Sequence, residues 1–193
     1  MALTEAQQAV VEYLVAVPEP ESETASSSTH REWVSRVGRG RKPGADPRTV
    51  CFRKSRSFDE CELHSVAFST LDGRSMESVA RTWRDRNGAN VVAPIGGGGG
   101  DSPHRDHPWV NFTAQWNSTV FRGGGVVIGE GAESAHVVRL RFANGTVAKD
   151  TVGGGVVLFE VPGPFTFPVE VDVLDAGAVL IHSYAEFEGF TGL

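Results

Sequence analysis

A chain of 193 residues with 22% charged and 40% hydrophobic side chains fits one domain with appendages, or two small ones. Eleven Phe and four Trp suffice to fill a core, while 23 Gly argue against long helices and for turns. Composition excludes a coiled coil, a fully disordered chain and, with two cysteines, a disulfide-dense miniprotein.

The net charge of −6 is unevenly laid out. Residues 1–29 carry five Glu and no Lys or Arg; residues 30–56 carry nine Lys and Arg against Glu32 and Asp46. Such a chain is not a general nucleic-acid binder, but its basic segment, residues 31–56, is a candidate anion site. No apolar run reaches 18 residues, so no membrane-spanning helix is expected. The N-terminus lacks the basic start of a signal peptide, and Glu5 and Glu12 interrupt its apolar run, so the sequence as it stands reads as cytoplasmic. A truncated start, or oxidation of Cys51 and Cys61, would move it outside the cytoplasm. The sequons at Asn111, Asn117 and Asn144 point weakly the same way.

In chain order, Thr4 and Gln7 form a capping box that opens a helix within residues 1–17, with Ala6, Ala9, Val10, Tyr13, Leu14 and Val17 on one face. Pro18 and Pro20 end it. Residues 18–47, acidic and Ser-rich and then basic, read as a flexible linker. Residues 49–54 and 60–68 flank a polar stretch, which predicts a hairpin centred on Arg56 with Cys51 opposite Cys61. That pairing permits a disulfide only at a non-hydrogen-bonded position; the alternative is two buried free thiols. A short central helix is predicted from Ser75, with Val79 and Trp83 on one face, ending at Asn87-Gly88. Residues 48–95 therefore form a hairpin plus a helix, open to recruitment by the region that follows. The glycine runs 96–100, 123–125 and 153–155 read as linkers or hairpin loops, since none has the Lys-Ser/Thr of a phosphate loop.

From Trp109 the pattern becomes one of strands. Val138, Leu140 and Phe142 alternate with Arg139 and Arg141 before Asn144-Gly145, a strong hairpin signal. Val169, Val171 and Val173 alternate with Glu170 and Asp172. About seven strands are expected within residues 109–188, an Ig-like antiparallel β-sandwich in count though without a Cys…Trp…Cys core. The fold class is mainly β, with an N-terminal and a short central helix.

The runs Val138-Arg-Leu-Arg-Phe-Ala-Asn-Gly-Thr-Val, Val157-Leu-Phe-Glu-Val-Pro and Val169-Glu-Val-Asp-Val-Leu-Asp-Ala-Gly-Ala-Val-Leu resemble the C-terminal β-rich domains of uncharacterised proteins from high-GC Gram-positive bacteria. The resemblance covers about residues 120–185, with Gly177 one place earlier than in the usual Asp-Ala-x-Gly turn. It implies a hairpin-built β domain, often extracytoplasmic, and carries no catalytic residues.

Three constellations could carry chemistry. Asp101, His104, Asp106 and His107 gather potential metal ligands; His104 and His107 are weak candidates needing a third ligand such as His64 or His136, and Pro103 and Pro108 exclude a helix there. Arg36, Arg39, Arg41 and Lys42 resemble a single, imperfect AT-hook, a basic arm suited to phosphates. Trp109, Phe112 and Trp116 fit a core or a ligand surface. No nucleophile elbow or Ser/His/acid set stands out, and no cofactor is implied. The expectation is a non-catalytic module for protein interaction or surface display, with another protein as its partner. The alternatives are a nucleic-acid-associated protein using residues 31–56 and a small metal-dependent enzyme using His104 and His107.

Overall fold

The computed structural model describes residues 2–15, 44–98, 106–116 and 119–186. The predicted N-terminal helix is present as α1 (Glu5–Val15). Its capping box is reciprocal: the Gln7 amide donates to Thr4 Oγ1 at 3.2 Å, and the Thr4 amide to Gln7 Oε1 at 3.1 Å. Val10, fully buried, and Leu14 pack on Val66, Ala80 and Phe68 of the first sheet. An ion pair between Glu5 and Arg84 and a hydrogen bond from Gln7 to Ser55 pin the helix to that sheet. The Ala45 amide donates to the last turn of α1, at Leu14 O, at 3.0 Å.

The first sheet is an antiparallel meander of β1 (Cys51–Ser57), β2 (Glu62–Ser69), β3 (Ser75–Arg84) and β4 (Asn90–Gly98), in that order. Its first hairpin turns later than the sequence predicted. Phe58 N donates to Cys61 O at 2.7 Å, so the turn lies at Asp59-Glu60 and Cys51 stands opposite Ala67. Cys61 lies beyond the other end of β1, about 20 Å away at ~3.3 Å per residue, and both thiols are free. The strands run longer than residues 49–54 suggested because Ser55 continues the ladder opposite His64, whose ring it hydrogen-bonds.

The predicted central helix is instead β3, a correction with a local cause. Val79, Arg81 and Trp83 face one side and Ser78, Ala80 and Thr82 the other, a period of two carried by β-branched and aromatic residues. Pairing with β2 on one side and β4 on the other overrides the helical start signal at Ser75. The Asn87-Gly88 signal does mark a turn, but between strands: Asp85 accepts from the amides of Asn87 and Ala89, with Gly88 at φ +82°.

All seven strands expected after residue 109 are present. β5 (Trp109–Trp116), β6 (Val120–Ile128) and β9 (Val156–Pro162) make the middle sheet, in the order β5-β6-β9. β7 (Val137–Phe142), β8 (Val147–Thr151), β10 (Val169–Leu174) and β11 (Leu180–Glu186) make the last sheet, in the order β11-β10-β7-β8. Residues 96–98 and 123–125 lie within β4 and β6 rather than in loops. Here glycine permits close approach: a Cβ on Gly124 would sit 2.8 Å from Leu158 Cδ2 and 2.9 Å from Val79 Cγ2. Residues 153–155 do form the turn between β8 and β9, as expected.

β9 belongs to two cores. Val157, Phe159 and Val161 join Val138, Leu140, Phe142, Val169, Val171 and Val173 of the last sheet, together with Phe121 and Val110. Val156 and Leu158 join Leu63, Val79 and Ile95 of the first sheet. Alternation along one strand thus sends successive side chains into different cores, and β9 is apolar at nearly every position.

Candidate functional site

The first and middle sheets share an apolar core too small to fill the space between them, and polar groups occupy the rest. Three cations of β1 bind the β8–β9 region. Lys54 Nζ lies 2.6 Å from Asp150 Oδ2 and also donates to the Thr151 carbonyl. Arg56 lies 3.0 Å from Asp150 Oδ1 and donates to Leu158 O at 2.8 Å. Arg53 donates to Gly154 O at 2.8 Å and pairs with Glu77. A β-bulge at Arg53 turns both it and Lys54 toward this side. Asp150 also accepts from the Leu158 amide at 2.7 Å, so this buried carboxylate is fully surrounded by donors.

At the far end, Glu160 accepts from Arg122 Nε at 3.1 Å and from the Cys61 thiol, with Arg81 at 3.9 Å. Arg81 in turn stacks over Trp83 at 4.9 Å. Burial pushes the Cys61 thiol up to about 11, and its hydrogen bond to Glu160 adds to that. Cys61 is therefore a protonated donor at neutral pH and a poor nucleophile.

Between these polar groups and the sheet edge opens a cleft of about 1570 Å³. Its walls come from β1, β2 and β3 on one side and from β5 and β6 on the other. Small or hydroxylic residues dominate them, among them Ser65, Ala67, Ser78, Thr113 and Gly125, with Val79, Val126 and Val156 at the apolar floor. Cys51 lines the cleft and is exposed. The arrangement sets side-chain hydroxyls over an apolar floor.

The residues singled out from sequence are not gathered here. Cys51 reaches the cleft, while Cys61 belongs to the Glu160 cluster. Arg36, Arg39, Arg41, Lys42 and His104 lie outside the described residues. His107 stacks on His182, ring centroids 5.9 Å apart. His64 is fully buried on the α1 side of the first sheet, its ring nitrogens 2.9 Å from Ser55 Oγ and 3.0 Å from Thr82 Oγ1. Among the described residues no three His, Cys, Asp or Glu side chains converge to hold a metal ion. No helix among them is long and apolar enough to cross a membrane.

Sequence reasoning missed Asp150, Glu160 and Glu77, each an acidic residue at an inward strand position. No local signal marked them: Asp150 and Glu77 find their partners in the basic run ending at Arg56, and Glu160 finds Arg122 and Arg81, all on other strands. No family model matches the chain, and neither the curated proteins nor the solved structures yielded a match.

Proposed function

We propose that the protein is a non-catalytic binding module, a β-sandwich of Ig-like architecture in its middle and last sheets, that takes a segment of another protein in the cleft beside the first sheet. The observation that carries this reading is the cleft itself, a long concavity walled by small side chains and hydroxyls over an apolar floor. An extended peptide presents a main chain to such hydroxyls and alternate side chains to the floor. The kinship of residues 120–185 with β-rich domains of high-GC Gram-positive bacteria is part of the same proposal.

Cys51 provides the test, because it lines the cleft while the only other cysteine is buried and hard to ionise. Peptides selected from a random displayed library should slow alkylation of Cys51 when bound, and Ala67→Trp, which fills the cleft, should abolish their binding. Selection that recovers no peptide, or peptides that leave the Cys51 rate unchanged, overturns the reading.

A further inference from the structure

Each sheet has two edge strands, and an edge presents unpaired main-chain groups that invite another strand unless they are guarded. Five of the six edges here carry a guard. β1 has a bulge at Arg53 and the cations Lys54 and Arg56. β4 has a bulge beside Pro94, which has no amide hydrogen to offer. On β5, the Tyr184 hydroxyl accepts from the Val110 amide at 3.2 Å and donates to the Val110 carbonyl at 2.8 Å. On β9, Leu158 gives its amide to Asp150 and its carbonyl to Arg56. On β8, the carbonyls of Lys149 and Thr151 accept from Arg56 and Lys54.

β11 differs. The direction of its main-chain groups follows from its neighbour. His136 N donates to Leu174 O, so the even-numbered residues of β10 point toward β7. Asp175 N donates to Val179 O, so the odd-numbered ones point toward β11. Val173 and Val171 therefore bond His182 and Tyr184, their register partners, and the main chains of Ser183 and Ala185 point outward. Among the described residues those outward groups meet no partner. β11 also has a bulge, at Ile181 near its start, but from His182 onward its pairing with β10 is regular and no charged side chain or foreign donor covers its outward groups among the described residues.

We infer that β11 is the docking edge for a second copy of this chain, the two last sheets joining antiparallel across a two-fold axis. Self-complementarity selects this occupant. A two-fold axis through Ser183 sets Ile181 opposite Ala185 and His182 opposite Tyr184, an aromatic cross-strand pair, with no like charges facing. The same operation at the middle residue of β1 sets Lys54 against itself, and at that of β8 sets Lys149 against itself; at β4 it sets Pro94 against Pro94. Only β11 combines open main-chain groups with a middle that tolerates its own image.

The full chain tests this by light scattering and sedimentation over a concentration series. The expected species has twice the 20.7 kDa chain mass. Ala185→Pro removes one outward amide while leaving the bonds to β10 in place, and should return the protein to the monomer. Should that variant fail to fold, Ala185→Lys, which puts a charge on the edge, must do the same, whereas Val147→Lys on the guarded β8 must not. In the wild-type protein, hydrogen exchange at the Ser183 and Ala185 amides should slow as concentration rises. A wild-type chain that stays monomeric at every concentration overturns the inference. A dimer that survives Ala185→Lys, or that forms without protecting Ser183 and Ala185, overturns it equally.

Discussion

On one face of the middle sheet, Phe121, Val157, Phe159 and Val161 meet the valines and Phe142 of the last sheet, and the space closes on apolar side chains. On the other face, Arg122, Gly124 and Glu160 look toward the first sheet, where a short apolar core is flanked by ion pairs and a cleft. The same three strands supply both faces, so the difference lies in alternate residues alone. The closed side gives stability through area removed from water. The open side is held by directed charges, which tolerate a gap that an apolar interface would collapse to fill. Ion pairs at Asp150 and Glu160 thus fasten the layers where apolar packing is thin.

The largest effect should come from the closed side. Phe159 is almost wholly buried and contacts Phe112, so Phe159→Ala leaves a cavity and should cost about 3–5 kcal/mol in urea unfolding. If the cost is near that of an exposed residue, the closed core is not where stability resides. On the open side, Asp150→Asn leaves Lys54 and Arg56 without a counter-charge in a buried setting and should cost roughly 3 kcal/mol. Because the clamp joins the first sheet to the other two, that variant should also raise hydrogen exchange in β1 more than in β10. Equal exchange in both strands would mean that the clamp does not hold the layers together.

How much of this was legible in the sequence follows the same division. Strands β7 and β10 of the closed core were readable because each is short and alternating, and Asn144-Gly145 and the turn at residue 175 punctuate them. The first sheet was harder to read. Ser75 carries a helix start signal, and only the two neighbouring strands make β3 extended. Residues 96–98 and 123–125 look like linkers until the layers that press on them are known. The hairpin at β1 was foreseen but not its register, since the polar stretch 55–59 contains both an inward cation, Arg56, and the true turn residue, Asp59. The open side was not legible at all as a site, because Arg53, Lys54 and Arg56 meet Asp150 and Gly154 across about a hundred residues of chain.

Acid should separate the two sides further, through groups that titrate in adjoining ranges. His64, under α1, is pushed down to about 4 by burial, although Glu62 lies 3.8 Å from its ring. In the unfolded chain it takes up a proton near pH 6.5. The unfolded state therefore binds more protons between those limits, and the stability that His64 contributes is full above pH 6.5 and lost as pH falls toward 4, roughly 3 kcal/mol in all. Asp172, in the last sheet, behaves differently. Burial alone would raise its carboxyl, but hydrogen bonds from Arg141, Ser183 and Arg139 outweigh burial and hold it below the usual range. Its contribution is full above the unfolded carboxylate range near pH 4 and is lost only below it. Between pH 6.5 and 4 the first sheet and α1 should loosen while the last sheet keeps its ion cluster. Urea midpoints at half-unit steps from pH 7.5 to 4.5 should fall in the wild-type protein and stay flatter in His64→Leu. Hydrogen exchange over the same range should rise in β2 before β10. A wild-type midpoint as flat as the variant's would show that the imidazole is not held neutral by the fold, and exchange rising first in β10 would reverse the order of the two sides.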